Sequence, residues 1–364
     1  MSRKGYVLKE SDLLPLSLGA ALLGTGGGGN PYIGMLRTRE LLRRGASVEV
    51  LPLEAIADDQ YVGSVGGIGA PVVGVEKIEQ GEECLRALQA VEEAQQVKVA
   101  ALISAEIGGA NSMEPILTAA QAGLPVVDGD GMGRAFPELQ MTTFGMHGVS
   151  ATPMVLSDDK GNSVVLETIS NRWTERLARS CTVDMGGSAL LAFYPMSGAV
   201  AKKAVVRGTL SLCADLGRKL REARARHDDP VEAIRAALGA EIIFNGRVQD
   251  VLRRTIGGFA RGEAQIEGLD GDRGHKMRIA FQNEFLIAER DGQTLVTTPD
   301  MITLLEAETG APVTADAVRY GIRVVALAYP CSDQWRTPEG LDLVGPRYFG
   351  YDLDFRPFVA NAMR

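Results

Sequence analysis

The chain has 364 residues, 45% of them apolar and 23% charged, with a net charge of −8. That composition is globular, the length allows two domains, and the acidic balance excludes the basic stripe of a nucleic-acid binder. No apolar run approaches the roughly 20 residues of a membrane span, and MSRKGYVLKESD lacks the apolar segment of a secretory signal, so a cytoplasmic location is expected.

In chain order, SDLLPLSLGAALL (11–23) has the pattern of a helix, with Ser11 as its expected N-cap and Pro15 near enough to the start to be tolerated. Leu23-Gly24-Thr25-Gly26-Gly27-Gly28-Gly29-Asn30-Pro31 follows, and Asn30 and Pro31 suit the cap and first position of a second helix that stops at Gly45. A glycine-rich loop feeding a helix start offers N–H groups to a carboxylate or carbonyl. It is not a P-loop, because no Gly-Lys-Ser/Thr follows. It is not the dinucleotide fingerprint either, because a helix precedes it. Ser47 to Leu53 alternates as a strand, Tyr61 to Val75 reads as a strand broken by glycines, and Gly81 to Gln96 is a surface helix.

The densest chemistry lies between Ser104 and Glu138. Val97 to Ile103 and Leu124 to Val127 read as buried strands with a short apolar helix between them, a βαβ unit. Each strand runs into a glycine-rich loop at its carboxyl end, the edge where open α/β sheets bind ligands. The first loop carries Glu106 and Asn111. The second carries Asp128, Asp130 and Arg134 between Gly129, Gly131 and Gly133. The bland alternative makes the aspartates turn formers and Glu106 a solvated residue. The convergence of charges and glycines on one edge favours the functional reading.

A hairpin at 152–167, around Asp158-Asp159-Lys160-Gly161-Asn162, completes an α/β region, with a domain boundary expected at 165/166. Asn171 to Ser180, Thr209 to Arg226 and Val231 to Leu238 read as helices. From Glu241 onward, short alternating runs between turn residues argue a β-barrel or sandwich. The expected fold is therefore an N-terminal α/β domain with a mixed sheet (1–165) and a C-terminal domain (166–364), helical at first and then a β-barrel.

Candidate catalysts are few. Of His147, His227 and His275, only His147, between Gly145 and Gly148, falls near the expected site. The four cysteines have no paired spacing, so reduced thiols are expected, and there is no Gly-x-Ser-x-Gly elbow. Carboxylates and water remain. Two acids one residue apart, with a third nearby, can split into an acid and a base. Asp130 is the expected base, with Asp128 or Glu106 as the acid, Asn111 as an oxyanion donor and His147 in reserve. Gly131 and Gly133 let the chain approach a substrate, and Arg134 or the amides of Gly27 to Asn30 would hold an anionic group. No cofactor is expected. The same acids could instead hold a divalent metal, although no spacing is diagnostic.

The runs GTGGGGNPYIG, SAEIGGANSMEP and VVDGDGMGRAFPE resemble the S-methyl thiohydantoin desulfurase family, long grouped as a domain of unknown function beside hydantoinase genes. FNGRVQDVLRRTIGGFARG, IAFQNEFLIA and VGPRYFGYD extend the resemblance over about residues 10–356. It implies an N-terminal α/β domain and a C-terminal domain with a β-barrel. It also implies hydrolysis of a cyclic S-methyl isothiourea to a hydantoin with release of methanethiol. The motif positions it carries over are Thr25 to Asn30, Glu106, Gly108, Gly109, Asn111 and Asp128 through Glu138. Thr25, Gly27, Gly28, Asn30, Gly109, Gly131, Arg134 and Glu138 are the expected substrate-binding residues. The expected partner is a small, anionic substrate, with a homo-oligomer or a hydantoinase as a further one; nucleic acid and membrane are not expected. The competing reading is a non-catalytic ligand-binding subunit, against which the clustered acids argue.

Overall fold

The computed structural model describes residues 5–69, 73, 76–257 and 259–359. The MSRK start, the end of the 61–75 strand reading (70–72, 74 and 75) and Gly258 lie outside the described residues. The first part contains β1 (Tyr6–Val7), α1 (Glu10–Leu23), α2 (Tyr32–Arg43), β2 (Glu49–Leu51), β3 (Tyr61–Gly69) and α3 (Glu83–Gln95). Then come β4 (Val99–Ser104), α4 (Glu114–Ala122), β5 (Val126–Asp130), α5 (Thr143–Met146), β6 (Met154–Ser157) and β7 (Ser163–Leu166). After α6 (Asn171–Asp184), β8 (Ser188–Ser197), α7 (Gly198–Ala204) and β9 (Val206–Arg207), helices α8 (Thr209–Arg226) and α9 (Pro230–Leu238) lead into the second sheet.

The first sheet is mixed, in the order β1-β2-β5-β4-β3-β8-β6-β7, with β9 also on β5. β2, β5, β4 and β3 run parallel, and β4-α4-β5 is the expected βαβ unit. The long strand β8 was not expected, nor were the two-residue strands β1 and β9. β8 lies antiparallel between β3 and β6 and joins the two halves of the sheet. Its sequence, SALLAFYPMS, is buried nearly throughout, so it shows no polar–apolar alternation from which a strand is read.

The second sheet comprises β10 (Glu241–Ile256), β11 (Phe259–Gly268), β12 (Lys276–Gln282), β13 (Glu284–Arg290), β14 (Gln293–Thr297), β15 (Met301–Glu306), β16 (Pro312–Val313) and β17 (Arg323–Tyr329). It is antiparallel throughout, in the order β14-β13-β12-β11-β10-β17-β15-β16. The expected barrel is not closed: among the described residues β14 and β16 stand at opposite ends of the ladder. β16, two residues long and beginning with Pro312, is a poor partner for further pairing.

Helix α1 starts one residue ahead of Ser11. The cap is made by Asp12, whose carboxylate accepts the Lys9 N–H at 3.0 Å, so Ser11 is not the cap. The next helix starts one residue later than expected, with Pro31 at the N-cap position, and Asn30 just before it accepts the Tyr32 N–H at 2.9 Å.

α1 is the pillar between the halves. Leu13, Leu16 and Ala20 share one buried cluster with Leu210, Leu216 and Leu220 of α8 and with Met301, Leu305 and Leu327 of the second sheet. The two helices cross at bare backbone. A Cβ on Gly19 would sit 1.9 Å from the Cys213 carbonyl oxygen, and one on Gly217 would sit 1.8 Å from that of Pro15. Gly19→Ala or Gly217→Ala must therefore push the helices apart and loosen the leucines around them. A loss on the order of 1–3 kcal/mol is expected, measured as a lower denaturation midpoint in urea; an unchanged midpoint would contradict this packing.

Candidate active site

The carboxyl ends of β4 and β5 place two loops side by side, as the βαβ reading requires. Asp130, the last residue of β5, is fully buried, and its carboxylate accepts three backbone N–H groups. They come from Ile107 at 2.9 Å, Met132 at 2.9 Å and Gly133 at 2.8 Å. A glycine-flanked aspartate has thus become the knot joining one loop to the other. Burial pushes its pKa up to about 7 despite the three amides that pull it down.

The knot holds Glu106 in place. Its carboxylate accepts the Phe136 N–H at 3.0 Å on one oxygen and the Asn111 side-chain N–H at 2.8 Å on the other. Asn111 is itself fixed by the Gly67 N–H, which it accepts at 2.7 Å. Glu106 is 6% exposed, and that exposure faces a cavity of about 790 Å³. Burial raises its pKa to about 8, Asn111 and Phe136 lower it, and the Asp130 charge adds to the rise.

The cavity wall also includes Gly28, Gly29, Asn30, Asn111, Phe136 and Glu138, with Arg37, Lys77, Glu79, Glu114 and Arg179 further along. Asn283 and Glu284, from the turn that opens β13 of the second sheet, line it as well. Glu284 begins β13 after Asn283, whose φ of 58° makes the tight turn. Its side chain is 1% exposed, and its Oε2 has no hydrogen-bond partner. Burial first, then the Glu106 charge, raises its pKa well above the usual carboxylate range, against the Arg134 charge and the Gly28 amide.

Close approach explains three of the four glycines at 26–29, and the fourth, Gly29, has a φ of 74°. A Cβ on Gly27 would stand 2.0 Å from Glu284 Oε1, one on Gly26 2.5 Å from the Phe285 ring, and one on Gly28 2.2 Å from the Gly108 carbonyl oxygen. The loop expected to receive a carboxylate holds one supplied by the protein itself.

Other expected site residues lie elsewhere. Arg134 is fully buried and does not line the cavity. It donates to the carbonyls of Pro299 (2.6 Å) and Ala135 (3.0 Å) and to Thr25 Oγ1 (2.8 Å), which bolts the glycine loop and the second sheet to the 131–138 loop. Arg134, expected as an anion anchor, thus has its guanidinium engaged by groups of the protein, Thr25 among them. Asp128 accepts the Ser211 N–H at 2.9 Å and hydroxyl at 2.6 Å, a cap on the first turn of α8. His147 is exposed, 3.2 Å from Gln334. Thr25, Gly27, Gly109, Gly131, Asp128, Asp130 and His147 are all absent from the cavity wall. Glu138 lines it and accepts the Tyr348 hydroxyl at 2.6 Å. Among the described residues, no three His, Cys, Asp or Glu side chains converge on a common metal position.

Two family models match end to end: the S-Me-THD-like N-terminal domain over residues 11–168 and the S-Me-THD-like C-terminal domain over 169–358. The chain belongs to the S-Me-THD-like family. No curated protein matches it. Among solved structures, it is similar to the crystal structure of a protein from Chromobacterium violaceum, with 27% identity and a TM-score of 0.81 over 97% of this chain and 100% of that one. Both halves of the cavity, the glycine and βαβ loops and the Glu284 turn, fall inside the matched family domains.

The buried acids carry a stability signature. Glu106 and Asp130 hold protons in the folded state up to about 8 and about 7, against ordinary values of 4.5 and 3.8. Between those limits the folded chain binds more protons than the unfolded one, so their contribution is full below the ordinary values and is lost as pH rises. The melting temperature should therefore fall from pH 5 to pH 8, and Glu106→Gln should flatten the slope. Thermal denaturation across that range reads both, and a melting temperature that rises with pH would refute the assignment.

Proposed function

We propose that this chain is a hydrolase that converts an S-methyl thiohydantoin to the corresponding hydantoin and methanethiol. The observation that carries this reading is the Glu106 carboxyl. It lies on a cavity wall, is aimed by donors from two loops, and has its pKa lifted to about 8. A base of that strength suits proton abstraction from water near neutral pH. The family's thiohydantoin name supports this reading, and the cavity of about 790 Å³ has ample room for a substituted five-membered ring.

In this reading, water adds to the thioimidate carbon between sulfur and nitrogen, and Glu106 takes one of its protons. The tetrahedral intermediate then expels the sulfur. Asn111 acts as a positioning residue and not as the expected oxyanion donor, because its amide is committed to Glu106 and Gly67. An anionic ring substituent would meet Arg37 or Arg179 at the cavity wall, each already paired with a glutamate, Glu79 or Glu175. No metal is assigned a role.

Incubation with an S-methyl thiohydantoin and an assay for free thiol tests the reaction. Glu106→Gln should lower turnover by about 10²–10⁴-fold while ligand binding stays measurable. In the wild type, kcat/KM should rise about tenfold per pH unit below about 8, following ionisation of Glu106. Chelator should leave the rate unchanged. Full activity in Glu106→Gln would remove it as the base, and activity lost on chelation and restored by zinc or manganese would make the water metal-activated.

A further inference from the structure

We propose that Glu284, contributed by the second sheet, is the general acid that protonates the departing methanethiol in the cavity it shares with Glu106. This rests on the hydrolase reading above and adds to it a second catalytic group from the other half of the chain.

Three observations place it there. Glu284 lines the same cavity as Glu106. Its Oε2 is a buried polar atom without a partner, on a side chain 1% exposed, where an unsatisfied carboxyl costs stability unless a ligand completes it. Its other oxygen lies against Gly27, a position that no larger residue could occupy without displacing the carboxyl. The chain therefore keeps, at a cost in stability, a buried ionisable group with one unpaired oxygen on this cavity wall. The low dielectric and the neighbouring Glu106 charge keep this group neutral, the state a proton donor needs.

The proton balance closes with these two residues. Water adds to the carbon, forming a C–O bond, and gives one proton to the Glu106 carboxylate. The C–S bond breaks with its electron pair going to sulfur, which takes the Glu284 proton and leaves as methanethiol. The remaining hydroxyl becomes the hydantoin carbonyl and returns its proton to Glu284, while Glu106 passes its proton to the ring nitrogen. Both carboxyls end in their starting states. In net terms water gives up two protons, and one proton each is delivered to sulfur and to nitrogen.

The test compares Glu284→Gln and Glu106→Gln on two substrates, an S-methyl and an S-(4-nitrophenyl) thiohydantoin. A nitrothiophenolate leaves without protonation, so it bypasses an acid but not a base. Glu284→Gln should lose 100-fold or more on the methyl substrate and recover most of that loss on the aryl one, whereas Glu106→Gln should lose activity on both. Equal losses in Glu284→Gln on the two substrates, or none on either, would overturn the proposal while leaving the hydrolase reading intact. If the wild type releases no thiol from either substrate, the hydrolase reading fails instead. The protonated-carboxyl infrared band at pH 7.5, read in wild type and Glu284→Gln, then decides: it should weaken in the variant, and an undiminished band overturns the neutral Glu284.

Discussion

Three backbone amides converging on one buried carboxylate hold this site together. Asp130 gathers the N–H groups of Ile107, Met132 and Gly133, and by doing so sets the distance between the loops that end β4 and β5. Glu106 stands one residue before Ile107, and Phe136, whose amide it accepts, stands three residues after Gly133. Removing the Asp130 carboxylate would take the acceptor from three amides at once. Arg134 extends the same constraint outward. Its guanidinium ties this pair of loops to Thr25 on one side and to the Pro299 carbonyl on the other.

Part of this was legible in the sequence, for physical reasons that can be named. The βαβ unit and its two glycine-rich loops follow from apolar runs and glycine placement, and Glu106 and Asn111 fall on the edge that topology dictates. The roles of the aspartates were not legible. An acid between glycines looks the same in sequence whether it faces a ligand or is wrapped by the amides that those glycines free, and only the fold distinguishes Asp130 from Glu106. Glu284 falls in a run that resembles the family, but nothing local marks it for the site. It is one glutamate in an alternating run, FQNEFLIA, and it becomes special because a β-turn at Asn283 aims it at a glycine loop more than 250 residues earlier in the chain. That the residue facing it is Gly27 was the available clue. A run of four glycines points to close approach, but not to the partner that approaches.

Alternation and turn spacing mark the second sheet in the sequence, but pattern does not decide its closure, which depends on whether the edge strands meet. Strand β8 escaped notice for the opposite reason. Buried on both faces, it needs no alternation, and its neighbours on either side supply its hydrogen bonds.

The position of β8 bears on how the chain can be divided. The two family domains meet between residues 168 and 169, but β8 (Ser188–Ser197) sits on the far side of that junction while lying between β3 and β6 in the first sheet. A fragment ending at 168 would keep β3 and β6–β7 and lose the strand that joins them. Two long-buried edges would then face water with unpaired N–H and C=O groups, the arrangement that templates aggregation. The family boundary is thus a boundary in sequence, while the unit of folding takes in the strands and helices that follow it. For anyone expressing the halves separately, the cut that keeps the first sheet whole lies beyond β9 (Val206–Arg207), and even there α1 would be left without α8 to cover it.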